Sequence, residues 1–375
     1  MAIPQSLQDR LKHRRVVPFV GAGVSMSVRD RISQHPVFPS WRQLLDQAAD
    51  RLEQENKKAD ANLVQSLLSV SPPEFLEAAS RARKALGGVW YEFLKEQIDI
   101  DFQRIDPESL ELARHIWRLG SNLIITTNYD EVLKWACPHP GLQSWDIEAP
   151  VEQASLLRGE LKRPVIWHLH GRINKASELI LSRDAYHLLY PDTNHGDRKS
   201  HYEAALRTLQ HQLATKSLLF VGFSLDDEYL GLQLKDVHEL YHGAGIHYAL
   251  VRKEEAGRVR DLNAGIEPIT FSDFGEQALA MFRQFFGEHD QRTTSVATKV
   301  ARYLVMLDHR KEAYDLVTHY LSQIPAQDPS KEILKRWETV LLSTTIRKGF
   351  GSNPKKQKSG RRKGADSIGV NVTAA

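Results

Sequence analysis

The chain has 375 residues, 41% of them hydrophobic and 26% charged, which are ordinary globular values and enough length for two or three structural units. A single cysteine, Cys137, excludes an intramolecular disulfide framework and any multi-cysteine zinc or iron–sulfur site. The net charge of +3 belongs to the tail, where six basic residues lie between positions 355 and 364 without an acid; the remainder is mildly acidic and offers no general basic face for nucleic acid.

Short apolar runs of the kind buried in a parallel sheet recur along the chain, at 16–20, 123–127, 164–170, 218–223, 247–251 and, more weakly, 268–271. The first follows Lys12, His13, Arg14 and Arg15 but is too short for a signal-peptide core. No stretch approaches the roughly 20 apolar residues of a membrane span. A cytoplasmic protein without membrane attachment is therefore expected.

Helical start signals lie between these runs. Ser40 precedes a helical pattern at 41–52, Ser71-Pro72-Pro73-Glu74 reads as a capping box, Asp106-Pro107 opens 108–119, and Asp226 precedes a helix ending near Gly243. Alternating strands and helices predict an α/β fold, a doubly wound Rossmann-like parallel sheet with its ligand crevice at the carboxyl ends of the strands. The stretch 41–119 is too long for a simple crossover and reads as an inserted helical subdomain. The expected organisation is a catalytic domain over 1–288, a helical assembly appendage over 289–347 with patterns at 295–323 and 330–346, and a disordered basic tail over 348–375.

Four strand ends carry the chemistry. The first runs into Gly21-Ala22-Gly23-Val24-Ser25, where glycines permit close approach to a pyrophosphate, although the third glycine of the dinucleotide fingerprint is absent. The second ends in Thr126-Thr127-Asn128-Tyr129-Asp130; an asparagine amide can orient a ribose hydroxyl or a water, while Asp130 could equally cap the next helix. The third ends in His168-Leu169-His170-Gly171, with His170 at the rim as a candidate general base and His168 read as structural. The fourth gives Gly222-Phe223-Ser224-Leu225, again suited to phosphate or ribose contact.

In this order the four motifs resemble those of the sirtuins, and most closely the sirtuin-like domains of bacterial antiphage defence proteins, over residues 10–285. The resemblance implies hydrolysis of NAD+, as substrate, to nicotinamide and ADP-ribose, with no metal required. It implies that His170 is catalytic, that Asn128 orients the ribose or the attacking water, and that Asp130 lies near the carboxamide. Gly21, Ala22, Gly23 and Ser25 would hold the pyrophosphate, Gly222 and Ser224 would face the adenosine, and Trp41 and Thr127 would complete the binding set. Phe38-Pro39-Ser40-Trp41 resembles the segment that closes over the nicotinamide. The length and appendage resemble standalone subunits that pair with a HerA-type DNA-translocating ATPase, and a homo-oligomer is expected. Two departures separate the chain from protein deacetylases: residues 172–221 contain no cysteine for a zinc ribbon, and Thr127 replaces the usual glutamine.

Two other readings stand beside this one. A non-catalytic nucleotide-binding scaffold would have the same fold. His238-Glu239-Leu240-Tyr241-His242 has zinc-protease spacing on a predicted helix, but position 248, where a third histidine would fall, is Tyr248; histidines in a last helical turn also complement the helix dipole. Contact of the basic tail with nucleic acid is a minor alternative to a solvated end.

Overall fold

The computed structural model describes residues 3–191, 199–225, 227–242, 245–262, 264–271, 310–323 and 330–349. The chain divides into two compact units, Met1–Ser295 and Val296–Ala375.

Seven strands, β1 (Val16–Val20), β2 (Leu123–Thr126), β3 (Gln143–Trp145), β4 (Val165–His168), β5 (Ser217–Val221), β6 (His247–Arg252) and β7 (Ile266–Phe271), form one sheet in the order β3-β4-β2-β1-β5-β6-β7. Every pairing is parallel. The α/β prediction is correct, and its six apolar runs are six of the seven strands. Helices cover both faces of such a sheet, so β1, β2, β4 and β5 are buried at every position and show no polar alternation. Pro18 sits within central β1; its ladder with β2 begins only after it, at Phe19 opposite Ile125, as expected of a residue with no N–H to donate.

The strand order reverses at β1, which lies between β2 and β5. The loops after these strands diverge there and open the crevice in which such sheets bind ligands. Helix α1 (Gln5–Lys12) precedes β1, and between β1 and β2 the chain builds α2 (Ala22–Met26), α3 (Trp41–Gln54), α4 (Lys58–Ser69), α5 (Phe75–Leu86), α6 (Val89–Ile98) and α7 (Glu111–Arg118). The helices α3 to α6 share a core of their own, in which Leu44, Leu45, Ala48, Ala49 and Leu52 of α3 meet the alanine face Ala78, Ala79 and Ala82 of α5. Alanines at that seam permit close approach of the backbones, and i, i+4 and i+8 spacing keeps the apolar residues on one stripe.

Local signals held unevenly. Ser40 forms a full capping box with Gln43, and Asp106 accepts from the Glu108 N–H at the start of a 3₁₀ turn that leads into α7. The box expected at Ser71-Pro72-Pro73-Glu74 does not form: α5 starts at Phe75 with no side-chain cap, and the Glu74 N–H donates to the Leu67 carbonyl of the preceding helix instead. The remaining helices of the first unit among the described residues are α8 (Val132–Ala136), α9 (Pro150–Leu157), α10 (Arg183–Leu189), α11 (Glu203–Thr215), α12 (Glu228–Leu240) and α13 (Ala256–Asp261). The cap of α12 is Asp227 rather than Asp226, which lies outside the described residues with Gly243.

In the second unit α14 (Arg310–Gln323) and α15 (Ser330–Gly349) pair through Ala313, Val317 and Leu321 against Leu334, Trp337 and Leu341. The basic tail from residue 350 and the pattern at 295–309 lie outside the described residues. No described helix is long and apolar enough to cross a membrane.

Candidate active site

The loops after β1 and β5 interlock at the crevice. The Gly21 N–H donates to the Val221 carbonyl at 3.0 Å and the Gly23 N–H to the Gly222 carbonyl at 2.8 Å. A Cβ on Gly21 would lie 2.5 Å from the Gly222 oxygen, and one on Gly222, where φ is +66°, would lie 2.6 Å from the Val24 nitrogen. The glycines therefore serve contact between two backbones. That is a requirement additional to the ligand approach read from the sequence, and it uses the Gly23 amide. Ala22 opens the short helix α2, which carries Ser25.

Residues after β2 form a buried polar network with that helix. Thr126 Oγ1 donates to the Val20 carbonyl and accepts from the Asn128 N–H at 3.0 Å, a local turn that fixes the asparagine directly beyond the strand. Asn128 Nδ2 donates to the Gly21 carbonyl and to Ser25 Oγ, both at 2.9 Å. Ser25 Oγ in turn donates to Asp130 Oδ2 at 2.6 Å, and Asp130 Oδ1 accepts from the Val132 N–H at the start of α8. Asp130 thus joins the first N–H of α8 to the buried network. All three side chains are buried, and burial pushes the Asp130 carboxyl up despite the Ser25 hydroxyl. Both amide hydrogens of Asn128 are used, while its Oδ1 takes no partner among the described residues and remains an available acceptor.

The β4 end lies beside this network. Thr126 and His168 are paired across β2 and β4, so Asn128 and His170 each stand two residues beyond a matched pair on neighbouring strands. His168 Nδ1 bonds the Asn128 carbonyl at 2.9 Å, the structural role expected of it. His170 is 2% exposed. Its ring meets Tyr186 edge-on at 5.1 Å between centroids, and Nε2 lies 3.4 Å from the Tyr190 hydroxyl. Burial drops the His170 pKa to about 3 and that of His168 to about 4, so both rings are neutral.

His247, buried at the start of β6, is also held down to about 4, and its Nδ1 accepts from the Leu218 N–H. A histidine depressed in the fold but free to charge near 6.5 when unfolded stabilises the protein fully above that value, and the contribution is lost as pH falls toward 4. His247→Asn keeps an acceptor for Leu218 and removes the titration. Its melting temperature will fall less steeply than wild type between pH 7 and 5, by a difference worth up to about 1.4 kcal/mol per pH unit. Parallel melting curves would refute the buried neutral ring.

The other predicted residues are dispersed around this centre. The Thr127 N–H donates to the Val20 carbonyl. Trp41 opens α3 and packs 6.2 Å from Phe75 in the helical core, against which Tyr129 also packs. Phe38 is buried beside Trp135. Ser224 offers its carbonyl to Arg258 Nη2 at 2.6 Å, which brings a cation to the loop assigned to the adenosine. The structure adds Tyr186, Tyr190, Asp227 and Arg258, none of which the sequence motifs single out. A pair of tyrosines four apart and an acid three after Ser224 were the available signals. The His238-Glu239-x-x-His242 pattern is corrected in one respect: α12 ends at Leu240, and His242 follows it with φ +51°, so the two histidines do not share a helical face.

Residues 122–269 match the SIR2-like domain family. The chain is 27% identical over 251 residues to the NAD(+) hydrolase ThsA of Bacillus cereus (strain MSX-D12), covering 66% of this chain and 45% of that protein. It is 25% identical over 236 residues to the NAD(+) hydrolase ThsA of Cytobacillus dafuensis, covering 63% and 40%. With the Defense-associated sirtuin 2 of Bacillus subtilis it shares 25% over 241 residues, 63% of this chain and 20% of that one. The chain spans less than half the length of each of these relatives. Over residues 122–269 the chain is thus similar to the SIR2-like domain family.

Proposed function

We propose that the protein hydrolyses NAD+ to nicotinamide and ADP-ribose and acts in bacterial antiphage defence by depleting NAD+. The observation that carries this reading is the buried Ser25–Asn128–Asp130 network set beside His170 at the strand-order reversal. Relatives named as NAD(+) hydrolases and a defence-associated sirtuin support the substrate and the setting.

The reaction breaks the bond between ribose C1′ and the nicotinamide nitrogen. The bonding pair leaves with nicotinamide, positive charge develops on the ribose, and water adds at C1′ and loses a proton. Asn128 Oδ1 is the acceptor that orients a ribose hydroxyl or that water, and Asp130 holds Ser25 and thereby the amide plane. Neutral His170 is the proton acceptor. The site needs rigid polar groups around a charge-developing centre, and a network that pins the Asn128 amide through both its hydrogens supplies them without reorganisation. Gly21, Ala22, Gly23 and Ser25 hold the pyrophosphate, Gly222 and Ser224 face the adenosine, and Trp41 and Thr127 border the pocket.

His170 is 2% exposed and packs against Tyr186 and Tyr190, so surrounding groups must shift before NAD+ reaches the ring. An enzyme that depletes NAD+ has to remain silent until triggered, and such closure suits regulation by assembly. The protein acts in the cytoplasm as a homo-oligomer with a HerA-type ATPase, residues 289–347 serving as the assembly region. Purified protein incubated with NAD+, alone and with such an ATPase, will release nicotinamide under at least one condition, as followed by liquid chromatography. No release under either would contradict the hydrolase reading and favour the nucleotide-binding scaffold, which the buried histidine also fits.

A further inference from the structure

We infer that Tyr186 and Asp227 are a positioning pair that sets the orientation of His170 from the far side of the crevice. The inference rests on the reading of His170 as the catalytic histidine. Asp227 caps α12 directly after the Gly222-Phe223-Ser224 loop: its Oδ1 accepts from the Leu230 N–H at 3.0 Å. Its Oδ2 accepts from the Tyr186 hydroxyl, also at 3.0 Å. Serine, threonine or asparagine could cap the helix equally well. Bonding the helix and the tyrosine together needs a side chain with two polar atoms, which Asp227 supplies.

The tyrosine then carries the constraint onward. Its ring packs edge-on against His170 at 5.1 Å, and Tyr190, one helical turn later, packs against both rings. Tyr190 is in turn stacked at 6.0 Å on Tyr229 of α12, whose hydroxyl bonds His187 Nε2 at 2.9 Å. The backbone of His170 is held separately, its carbonyl accepting from the Ile180 N–H. The histidine ring is therefore walled by Tyr186 of α10 and Tyr190 directly after it, both fixed to the N-terminal turn of α12. Tyr186 is buried and Asp227 half-buried, and burial pushes the pKa of both groups up, so each would be costly there without the other. The consequence is a mechanical link between the histidine end of β4 and the loop after β5 that the adenosine would touch.

The test measures kcat and KM for nicotinamide release by the full chain carrying Tyr186→Phe, Asp227→Ala or Asp227→Asn, beside wild type. It also records the imidazole NMR signals of His170 in each protein. Tyr186→Phe preserves ring packing and removes only the hydrogen bond. It will lower kcat by about 10- to 100-fold, the effect of a misplacement near 1 Å, with KM changed by less than about threefold. Asp227→Ala will lose at least as much, and Asp227→Asn will recover most of that loss because asparagine both caps and bonds the tyrosine. The His170 signals will shift in Tyr186→Phe. Wild-type kcat together with unshifted His170 signals in Tyr186→Phe overturns the pairing. If wild type releases no nicotinamide, the hydrolase reading fails instead, and the NMR comparison alone decides the pair: displaced His170 signals support it and unchanged ones overturn it.

Discussion

Asn128→Ala will abolish nicotinamide release, by about 10³-fold or more, while the protein remains folded. The magnitude follows from two losses that act together. The amide oxygen that orients the ribose or the water disappears, an effect of the size seen when a preorganised polar group is removed from a reacting centre. The two N–H bonds to Gly21 and Ser25 also disappear, which leaves the turn after β1 tied to the loop after β2 chiefly through Ser25 and Asp130. Removing a buried hydrogen-bonding group costs about 1–3 kcal/mol of stability, small against the fold of a domain with two apolar cores. Circular dichroism and a melting curve will show a cooperative fold. Wild-type turnover by a folded Asn128→Ala protein would remove the residue from the mechanism.

Gly222→Ala will cost about 2–5 kcal/mol, the sum of a left-handed conformation and an overpacked contact. The conformational part arises from φ of +66° and the steric part from backbone: the new methyl would stand 2.6 Å from the Val24 nitrogen and 3.0 Å from the Gly23 carbonyl carbon. Neither atom can move without shifting α2, and α2 carries Ser25 of the polar network. The substitution is therefore expected to lose activity together with stability. Gly120→Ala supplies the comparison, because φ is +75° there but nothing lies within 4 Å of a Cβ. It bears the conformational cost alone, about 1–2 kcal/mol. Urea unfolding of the two variants measures the difference, and equal destabilisation would show that the interlock of the two loops carries no energetic weight.

The sheet was legible because a parallel strand covered on both faces must be apolar throughout, and six such runs stand out in the sequence. The seventh strand, β3, has only Gln143, Ser144 and Trp145, of which the first is exposed. It lies at the sheet edge, where neither length nor apolar burial marks it. At 71–74 the residue types of a capping box were present, but the Glu74 amide was taken by the preceding helix. Asp226 and Asp227 are adjacent and chemically equal as caps, and only the phase of the helix chooses between them.

The site divides in the same way. Gly21, Asn128, His170 and Gly222 are visible because each ends a strand, and strand ends are where this fold binds ligands. That Asn128, Ser25 and Asp130 share one chain of hydrogen bonds follows from the neighbouring positions of β1 and β2. Tyr186, Tyr190 and Asp227 acquire their place only when α10 crosses to the capping turn of α12. Residues 183–190 carry no motif that announces this, so the tyrosines that enclose the histidine come from tertiary structure alone.

The most direct test of the account is the nicotinamide released from NAD+ by wild type and by His170→Ala, assayed side by side under the condition in which wild type is active. The account predicts steady release of nicotinamide and ADP-ribose by wild type and none above background by the folded His170→Ala protein. Equal release by the two proteins would contradict it.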